Sequence, residues 1–527
     1  MSRGHRPYRR RPRAMHTYFR QNVFEGSQME ARTRVLVVSF DGLRPDRVSR
    51  ELTPNLWRLK QLGITLSQHR TVYPSETRTG FPSLVTGATT GEHGLVGNKY
   101  VDRSVVPERY VDTSDAVLLR QLDVESGGRL MSVASLGETL ARAGRSLAVL
   151  STNTPGTTRL FHHKAEDFGH IRLSGYFREA CTPADALALA EATVGPLPPI
   201  PSTNAPDKLG QQWLTSAFLE IVWPKYRPDV TILSYGEPDI ASHFHGTGAP
   251  STNEILAWCD AQFGRLLDWW EAEGRANGVQ LMAVSDHGHV TGHTRVSVIE
   301  SLQAAGFRAG PAPGAGIDVV VVPGQVGALY LAEPEDSRIC RLVAALSSEP
   351  WCGPIFTRRR GAARGVAPGS LGSDLVFGDH ARAPDVSFAF RSDDTVDAFG
   401  LVGGTHYAGT LRSGLGVHGG LHPNEMAALG VVAGGAFAAE GLVSQVPTGI
   451  CDIAPTILHI LGIARATSTA GRVLHEVLRN NAANEPAVSE ETFEARLGGF
   501  HQTLVRVNVG GTCYVAHGTA DGVSVSR

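Results

Sequence analysis

Several carboxylate and imidazole side chains of this sequence come directly after runs of apolar residues. Asp41 follows the run RVLVVSF, Asp239 follows TILSYGEP, and Asp286 follows VQLMAVS. Two of these acids have a histidine close by, since His243 is four residues after Asp239 and His287 is next to Asp286. Oxygen and imidazole donors without a thiolate are typical ligands of zinc, manganese and similar divalent ions. These residue types therefore indicate metal chemistry.

A further segment, GVHGGLHPNEM, adds His418 in a glycine-rich loop before another apolar run. A single aspartate at a strand end is usually a turn or capping residue, and a single histidine near glycine is usually structural. Three carboxylates and three imidazoles in one place are not explained by capping, because charges buried together repel unless cations are present. The number of ligands favours two divalent ions, with zinc expected and manganese as the alternative.

The stretch TVYPSETRTGFPSLVTG, residues 71–87, contains several hydroxyl side chains and one arginine. Serine and threonine are common in turns because their hydroxyls hydrogen-bond to nearby backbone groups. The stretch alone therefore leaves open whether one of these hydroxyls is a nucleophile or all of them stabilise turns and helix ends.

The elements that must position these residues alternate between strands and helices. The apolar runs before the three acids are typical of buried parallel strands. The segment LTPNLWRLKQLG predicts a helix that begins at Pro54 and stops before Gly63. Another helix is predicted from about Leu136, followed by a strand over residues 147–150. The pattern predicts an α/β fold, a mainly parallel sheet with helices on both faces, and ligands bind at the carboxyl ends of such strands.

Bulk properties limit the classes of partner. The chain has 527 residues, of which 42% are hydrophobic and 19% charged, which is a globular composition. A formal charge of -2 argues against nucleic acid or an anionic membrane as the main partner. No apolar run reaches the roughly 18 residues that span a bilayer, and no secretory core is seen, so a cytoplasmic location is expected. We expect a small-molecule substrate, while the oligomeric state stays open.

Six segments together resemble the alkaline phosphatase superfamily, specifically its type I phosphodiesterase/nucleotide pyrophosphatase family. In chain order they are SFDGLRPD, YPSETRTGFPSLVTG, HGLVGNKYVD, EPDIASH, SDHGH and GVHGG. The resemblance covers roughly residues 34–472. It implies an alkaline-phosphatase-like fold in which a mainly parallel central sheet carries a smaller cap-like insertion.

The resemblance also implies roles for individual residues. One metal is expected on Asp41, Asp286 and His287, and the second on Asp239, His243 and His418. The nucleophilic hydroxyl is expected to be Thr77, which would also touch the first metal. Asn98 and the backbone amide of Arg78 are expected to donate hydrogen bonds to the phosphoryl group.

The function implied is hydrolysis of phosphoric diesters or pyrophosphates through a phospho-threonine intermediate. One departure concerns Arg78, which stands where nucleotide-cleaving relatives typically have an aromatic residue. A guanidinium favours an additional anionic group on the substrate. A phosphonoacetate-type phosphonate hydrolase and a phosphate monoesterase of the same superfamily are therefore alternatives, and a catalytically silent metal-binding relative is a further one.

The remaining histidines are expected to be structural. They include His93, His245, His289 and His422, because six protein ligands and Thr77 already fill two sites, with His289 or His422 lining the pocket as the alternative. His162 and His163 are expected at the surface or in a loop.

The predicted organisation has three parts. A disordered basic arm is expected at residues 1–32, and the catalytic domain at 33–475. Within the catalytic domain, the stretch between His287 and His418 is long enough for a cap-like insertion, which is expected at about 300–410. Residues 476–527 are expected to form a linker and a terminal pair of strands.

Overall fold

The computed structural model describes Met1 and residues 32–105, 108–202, 205–322, 324–438, 440–465, 469–479 and 485–521. The predicted N-terminal arm, apart from Met1 and Arg32, lies outside these residues. Within the described ranges, every helix is too short or too polar to cross a membrane.

Eight strands form the central sheet, and the predicted mainly parallel α/β architecture is confirmed. In chain order they are β1 Arg34–Phe40, β2 Ile64–Leu66, β3 Leu147–Ser151, β4 Ile171–Ser174, β5 Val230–Tyr235, β6 Val279–Val284, β7 Gly430–Ala433 and β8 Leu442–Ser444. Their order across the sheet is β8-β2-β7-β6-β1-β5-β3-β4. Strand β7 runs antiparallel to both β6 and β2, and the other neighbouring pairs are parallel.

Strand β1 lies between β5 and β6, which fixes where the predicted acids emerge. Ser39 of β1 is level with Ser234 of β5 and with Val284 of β6. Because the three strands are parallel and in register, their carboxyl ends meet at one edge of the sheet.

Helices cover both faces of this sheet, and residues of β1 enter the two cores alternately. Val35 and Val37 belong to one buried cluster, while Leu36 and Val38 belong to the other. The first core contains side chains of the helices Thr77–Thr86, Ala116–Glu125, Leu136–Arg142, Pro155–Phe161 and Ile453–Ile460. The second contains side chains of Pro54–Leu62, Ala184–Val194, Leu209–Ala217 and Pro250–Trp269.

Shorter elements complete the central domain. The short helices are Thr90–His93, Ala165–Phe168, Asp239–His245 and Pro423–Met426, and two π-helical segments span Phe218–Tyr226 and Trp270–Gly274. The two-stranded sheets pair His69–Arg70 with Thr448–Gly449 and Lys99–Asp102 with Arg109–Asp112.

A second sheet of six strands carries its own core. Its strands are Ala309–Gly310, Val319–Val322, Gly327–Leu331, Cys352–Thr357, Leu371–Gly372 and Val386–Phe390. The helices Val298–Ala304 and Asp336–Ser347 pack on it. A four-stranded sheet connects the second sheet to the central domain. Its strands are Val290–Arg295, Ser392–Val396, Val402–Tyr407 and Leu415–Val417. The predicted domain boundaries stay a prediction.

The end of the chain forms three long strands, Val488–Leu497, Phe500–Val509 and Thr512–Asp521. The first of these occupies sequence that reads as a linker, because most of its side chains are exposed and polar. Its extended conformation comes from antiparallel pairing with Phe500–Val509 along ten residue pairs.

His162 and His163, expected at the surface or in a loop, lie in the loop after the helix Pro155–Phe161 but are buried. His162 is 0% exposed and His163 is 3% exposed. The ring of His162 is held by its Nε2 atom, 2.8 Å from Nδ1 of His170. The surface alternative was wrong because this partner comes from a neighbouring segment eight residues on.

Candidate active site

The edge formed by β1, β5 and β6 brings all six predicted ligands together. Together with His289, which was not among the predicted ligands, their donor atoms form two groups, and within each group the atoms lie within 4.8 Å of one another. The first group contains Asp41, Asp286 and His287, and the second contains Asp239, His243, His289 and His418. We call these the Asp41 cluster and the Asp239 cluster.

In the Asp41 cluster, each carboxylate has one oxygen occupied and one oxygen free. The side-chain amide of Asn153 donates to Asp41 Oδ2 at 2.5 Å, and the Gly42 N–H donates to Asp286 Oδ1 at 3.0 Å. The other two oxygens are buried without a hydrogen-bond partner. Nε2 of His287 lies 3.6 Å from Asp41 Oδ1 and 3.4 Å from Asp286 Oδ2. The unpartnered oxygens and the imidazole therefore face one another.

The Asp239 cluster converges on one oxygen atom. The helix Asp239–His245 presents Asp239 and His243 four residues apart on the same face. Nε2 atoms of His243, His289 and His418 lie 3.3, 3.0 and 3.5 Å from Asp239 Oδ1. This oxygen and His289 Nε2 are buried and have no hydrogen-bond partner.

His289 is the member of the two clusters that sequence reasoning placed among the structural histidines. The expectation rested on six ligands and Thr77 already filling two sites, and the structure brings His289 into the Asp239 cluster beside the predicted ligands. A usable signal was present in SDHGH, because residues two apart in an extended segment point to the same side. His287 and His289 have this spacing.

All four imidazoles of the clusters are oriented in the same way. Nδ1 of each ring lies 2.8–2.9 Å from a backbone carbonyl oxygen. The acceptors are Gly416 for His243, Gly288 for His287, Gly42 for His289 and Ser75 for His418. A carbonyl can only accept, so Nδ1 carries a proton, and in the neutral imidazole Nε2 presents its lone pair to the cluster. Such backbone partners orient the imidazole ligands of metal ions.

Burial shifts the pKa values of several cluster residues towards their uncharged forms. Burial raises the pKa of Asp41 well above its usual range, and the nearby carboxylates of Asp286 and Asp239 raise it further. Burial likewise raises the pKa of Asp286. Burial lowers the pKa of His418 well below its usual range, and the neighbouring His287 contributes. Buried acceptors at these separations repel unless positive charge lies between them, so the donor set fits divalent cations.

Thr77 is the hydroxyl that faces the clusters. It is the first residue of the helix Thr77–Thr86, and its Oγ1 lies 3.2 Å from His287 Nε2. Its side chain is only 6% exposed. A helix N-terminus favours negative charge, because its first N–H groups have no partner within the helix.

Three neighbouring hydroxyls are occupied by structural hydrogen bonds. Ser75 donates to the Gly420 carbonyl, and Thr79 donates to the carbonyls of Pro74 and Glu76. Ser83 lies 3.0 Å from Nε2 of His93. Of these four hydroxyls, the one at position 77 is therefore directed at the Asp41 cluster.

Asn98 and Arg78 lie next to Thr77 and are linked to each other. The backbone N–H of Arg78 donates to Asn98 Oδ1 at 3.0 Å, and the N–H of Asn98 donates to Glu76 at 2.6 Å. The hydrogen bond from the Arg78 N–H to Asn98 Oδ1 corrects the expectation that the Arg78 amide is free to bind a phosphoryl oxygen. It also orients the Asn98 side chain so that its NH₂ group remains available as a donor.

The side chain of Arg78 is held by Thr113. Nε of Arg78 donates to Thr113 Oγ1 at 2.9 Å, and this hydroxyl in turn donates to the Asn98 carbonyl at 2.6 Å. Burial lowers the pKa of Arg78, while the carboxylates of Asp112, Glu76, Asp41 and Asp239 raise it. The guanidinium therefore lies within the field of the cluster carboxylates.

Comparison with known proteins relates this site to a family. The family model described as type I phosphodiesterase / nucleotide pyrophosphatase matches residues 35–350, which is more than half of the chain. Human ectonucleotide pyrophosphatase/phosphodiesterase family member 5 is 23% identical over 257 residues, covering 48% of this chain and 44% of that protein. The bis(5'-adenosyl)-triphosphatase enpp4 of Xenopus laevis is 33% identical over 69 residues, or 13% of this chain and 15% of that protein. The chain spans less than half the length of these relatives.

Solved structures share the fold. Murine and human ectonucleotide pyrophosphatase/phosphodiesterase 5 both align with a TM-score of 0.58 at 17% identity. Each alignment covers 85% of this chain and 100% of the other. The fold is thus alkaline-phosphatase-like, and the chain belongs to the type I phosphodiesterase/nucleotide pyrophosphatase family.

Proposed function

We propose that this protein is a two-metal hydrolase of phosphoric diesters or pyrophosphates that acts through a phospho-threonine intermediate on Thr77. The observation that carries the proposal is the position of the Thr77 hydroxyl, 3.2 Å from His287 Nε2 and at the start of a helix. An ordinary threonine hydroxyl is too weakly acidic to attack phosphorus at neutral pH, so its surroundings must stabilise the alkoxide.

The residues that would hold two divalent cations are those of the two clusters. Asp41, Asp286, His287 and Thr77 would hold one, and Asp239, His243 and His418 would hold the other. Zinc suits these carboxylate and imidazole donors, with manganese as the alternative. Bound cations would supply positive charge that lowers the pKa of the hydroxyl and offsets the charge of the phosphoryl group. The buried oxygens of Asp41, Asp239 and Asp286 without hydrogen-bond partners support this assignment.

The chain's own residues then divide the reaction into two displacements. Thr77 Oγ1 forms a bond to phosphorus while the bond from phosphorus to the leaving oxygen breaks, and the hydroxyl proton ends on the leaving group. A water molecule next attacks phosphorus from the opposite side, which breaks the Thr77 Oγ1–phosphorus bond and restores the hydroxyl. The products of a diester are an alcohol and a phosphate monoester.

Asn98 and Arg78 would bind the substrate. The NH₂ group of Asn98 would donate to a non-bridging phosphoryl oxygen, since its Oδ1 is engaged by the Arg78 N–H. The guanidinium of Arg78, anchored through Nε on Thr113, would bind an additional anionic group. This anchoring favours one second candidate function, a monoesterase or phosphonoacetate-type hydrolase, whose substrates carry such a group.

Replacement of the nucleophile tests the proposal. Thr77→Ala should abolish turnover of bis-p-nitrophenyl phosphate and thymidine 5′-p-nitrophenyl phosphate, with metal content measured in the same samples. Ser83→Ala is the matched control, because this hydroxyl lies in the same helix but is bound to His93. Near-normal turnover by metal-loaded Thr77→Ala protein would refute the role of Thr77. A wild-type protein inactive on these diesters, on p-nitrophenyl phosphate and on phosphonoacetate would support a catalytically silent relative.

A further inference from the structure

We propose that His289 is a fourth protein ligand of the Asp239 cluster, so that one carboxylate and three imidazoles hold the cation there. The inference rests on one part of the proposed function, namely that a divalent cation binds at this cluster. It does not depend on Thr77 or on the substrate.

The lone pair of His289 Nε2 points at the Asp239 carboxylate. Nδ1 of His289 lies 2.9 Å from the carbonyl oxygen of Gly42 and donates its proton to it. Nε2 is therefore an acceptor, and it lies 3.0 Å from Asp239 Oδ1, which is also an acceptor. Both atoms are buried and neither has a hydrogen-bond donor. A cation between them satisfies both, whereas an empty gap leaves two lone pairs in repulsion.

His289 also matches the predicted ligands His243 and His418 in the contacts of both ring nitrogens. Its Nε2 lies closer to Asp239 Oδ1 than those of His243 and His418, at 3.0 Å against 3.3 and 3.5 Å. Its Nδ1 binds a backbone carbonyl, as theirs do. A purely structural role does not explain why the unpartnered Nε2 of His289 faces the Asp239 carboxylate in the same arrangement.

The turn at Gly42 leaves the space that the His289 ring occupies. Gly42 has a φ of +68°, and a Cβ at that position would overlap the imidazole of His289. His289 is itself 0% exposed, so solvent cannot satisfy Nε2. The turn after β1 thus provides both the space for the ring and the carbonyl that orients it.

The inference makes the two clusters chemically different. The Asp41 cluster offers two carboxylates, one imidazole and a hydroxyl, while the Asp239 cluster offers three imidazoles and one carboxylate. Imidazole donors favour zinc and cobalt over manganese and magnesium. The Asp239 cluster should therefore hold its zinc or cobalt ion more tightly, and this ion should be the last to leave during chelation.

The experiment compares cation affinity in wild-type protein, His289→Asn and His289→Ala. An asparagine amide can still donate to the Gly42 carbonyl but does not reach the position of Nε2, so His289→Asn removes the ligand and keeps the local hydrogen bond. His245→Ala is the control, because His245 is a half-buried histidine of the same helix as His243 and lies outside both clusters. Cobalt or zinc content is measured after dialysis against graded chelator, and the visible absorption of the cobalt protein is recorded.

Wild-type protein and His245→Ala should bind two cobalt ions with the same affinities and spectrum. His289→Asn should lose at least about 100-fold in affinity at one site, since even the loss of an outer partner of a ligand costs about 10–100-fold. Its cobalt spectrum should change as well. Two ions bound by His289→Asn with wild-type affinities and spectrum would overturn the inference and leave the proposed function standing. Wild-type protein that binds no ion at the Asp239 cluster would overturn both.

If neither His289 variant folds, X-ray absorption of the wild-type zinc protein decides. With His289 as a ligand, four imidazoles are shared by two zinc ions, which is an average of two per ion. Three shared imidazoles would overturn the inference.

Discussion

Gly42 and His289 fit together so closely that a side chain at position 42 would displace the imidazole. The Gly42 carbonyl accepts the hydrogen bond from His289 Nδ1 at 2.9 Å. A Cβ on Gly42 would overlap the ring and come within 3.1 Å of Asp239 Cβ. The tight turn after β1 therefore determines the geometry of the Asp239 cluster, although it contributes no side chain to it.

Gly42→Ala should consequently lose both stability and a cation. The positive φ of +68° alone costs about 1–2 kcal/mol for an L-residue. Gly144→Ala is the matched control, because Gly144 has a φ of +66° with open space where a Cβ would stand. Both variants should be destabilised in urea unfolding, but only Gly42→Ala should bind fewer zinc ions by elemental analysis. Equal zinc content in the two variants would contradict the role given to this turn.

Arg78 should discriminate between substrates rather than serve all of them. Its Nε is anchored on Thr113, and under the proposed function the rest of the guanidinium binds an additional anionic group of the substrate. Arg78→Ala should lower kcat/KM for a monoester or phosphonate by about 10–100-fold, in line with about 1.5–3 kcal/mol for a hydrogen bond to a charged group. Diester hydrolysis should change little.

The matched control for Arg78 is Arg359→Ala, an exposed arginine that pairs with Asp374. It should leave kcat/KM unchanged for both kinds of substrate. Arg78 has no part in substrate choice if its replacement alters the monoester and diester rates by the same factor.

The sequence allowed the sheet and most of the site to be predicted for one physical reason. Apolar runs ending in an acid mark buried parallel strands, and parallel strands deliver their last residues to a common edge, so Asp41, Asp239 and Asp286 had to meet. His289 was missed because its role depends on contact with Gly42, which is 247 positions away in sequence. The engagement of the Arg78 amide by Asn98 likewise follows from tertiary structure. Such contacts leave no periodic pattern in the chain, and for His289 only its two-residue spacing from His287 in SDHGH offered a signal.

Asp41→Asn should stabilise the metal-free protein while impairing cation binding. Burial and the carboxylates of Asp286 and Asp239 raise the pKa of Asp41, so its ionised form is unfavourable without a cation. An asparagine still accepts the hydrogen bond from Asn153. In chelator at pH 8 the variant should gain about 1–3 kcal/mol in free energy of unfolding, the range for relieving an unpaired buried polar group.

Added zinc should reverse that order. A cation at 100 times its dissociation constant stabilises the wild-type fold by about 2.7 kcal/mol, and Asp41→Asn should gain less. Asp268→Asn, on an exposed acid paired with Arg58, should behave as wild type in both conditions. Each of the two variants is compared with wild-type protein by its unfolding midpoint in urea, once with chelator and once with zinc. A metal-free Asp41→Asn protein less stable than wild type would argue against repulsion within the cluster.

His93 should make folding sensitive to acid at a place remote from the two clusters. The Leu95 N–H donates to His93 Nδ1 at 3.1 Å, so Nε2 carries the single proton and donates to Ser83 at 3.0 Å. A second proton on His93 Nδ1 would point at the Leu95 N–H, and the two like-charged hydrogens would repel. Burial lowers the pKa of His93 to about 3, and the neighbouring His380 contributes.

The sign of the effect follows from proton uptake on unfolding. In the unfolded chain histidine has a pKa of about 6.5, so between about pH 6.5 and 3 the unfolded state holds a proton that the folded state lacks. The stabilising contribution of neutral His93 is complete above pH 6.5 and is lost as the pH falls. His93→Asn should therefore reduce the slope of unfolding free energy against pH by up to about 1.4 kcal/mol per unit between pH 6 and 4. His459→Asn, at an exposed histidine, serves as the control in urea titrations across this range. A general destabilisation by the substitution does not affect the result, because the slope rather than the stability is compared. Equal slopes for His93→Asn and wild-type protein would contradict the role of His93 in acid sensitivity.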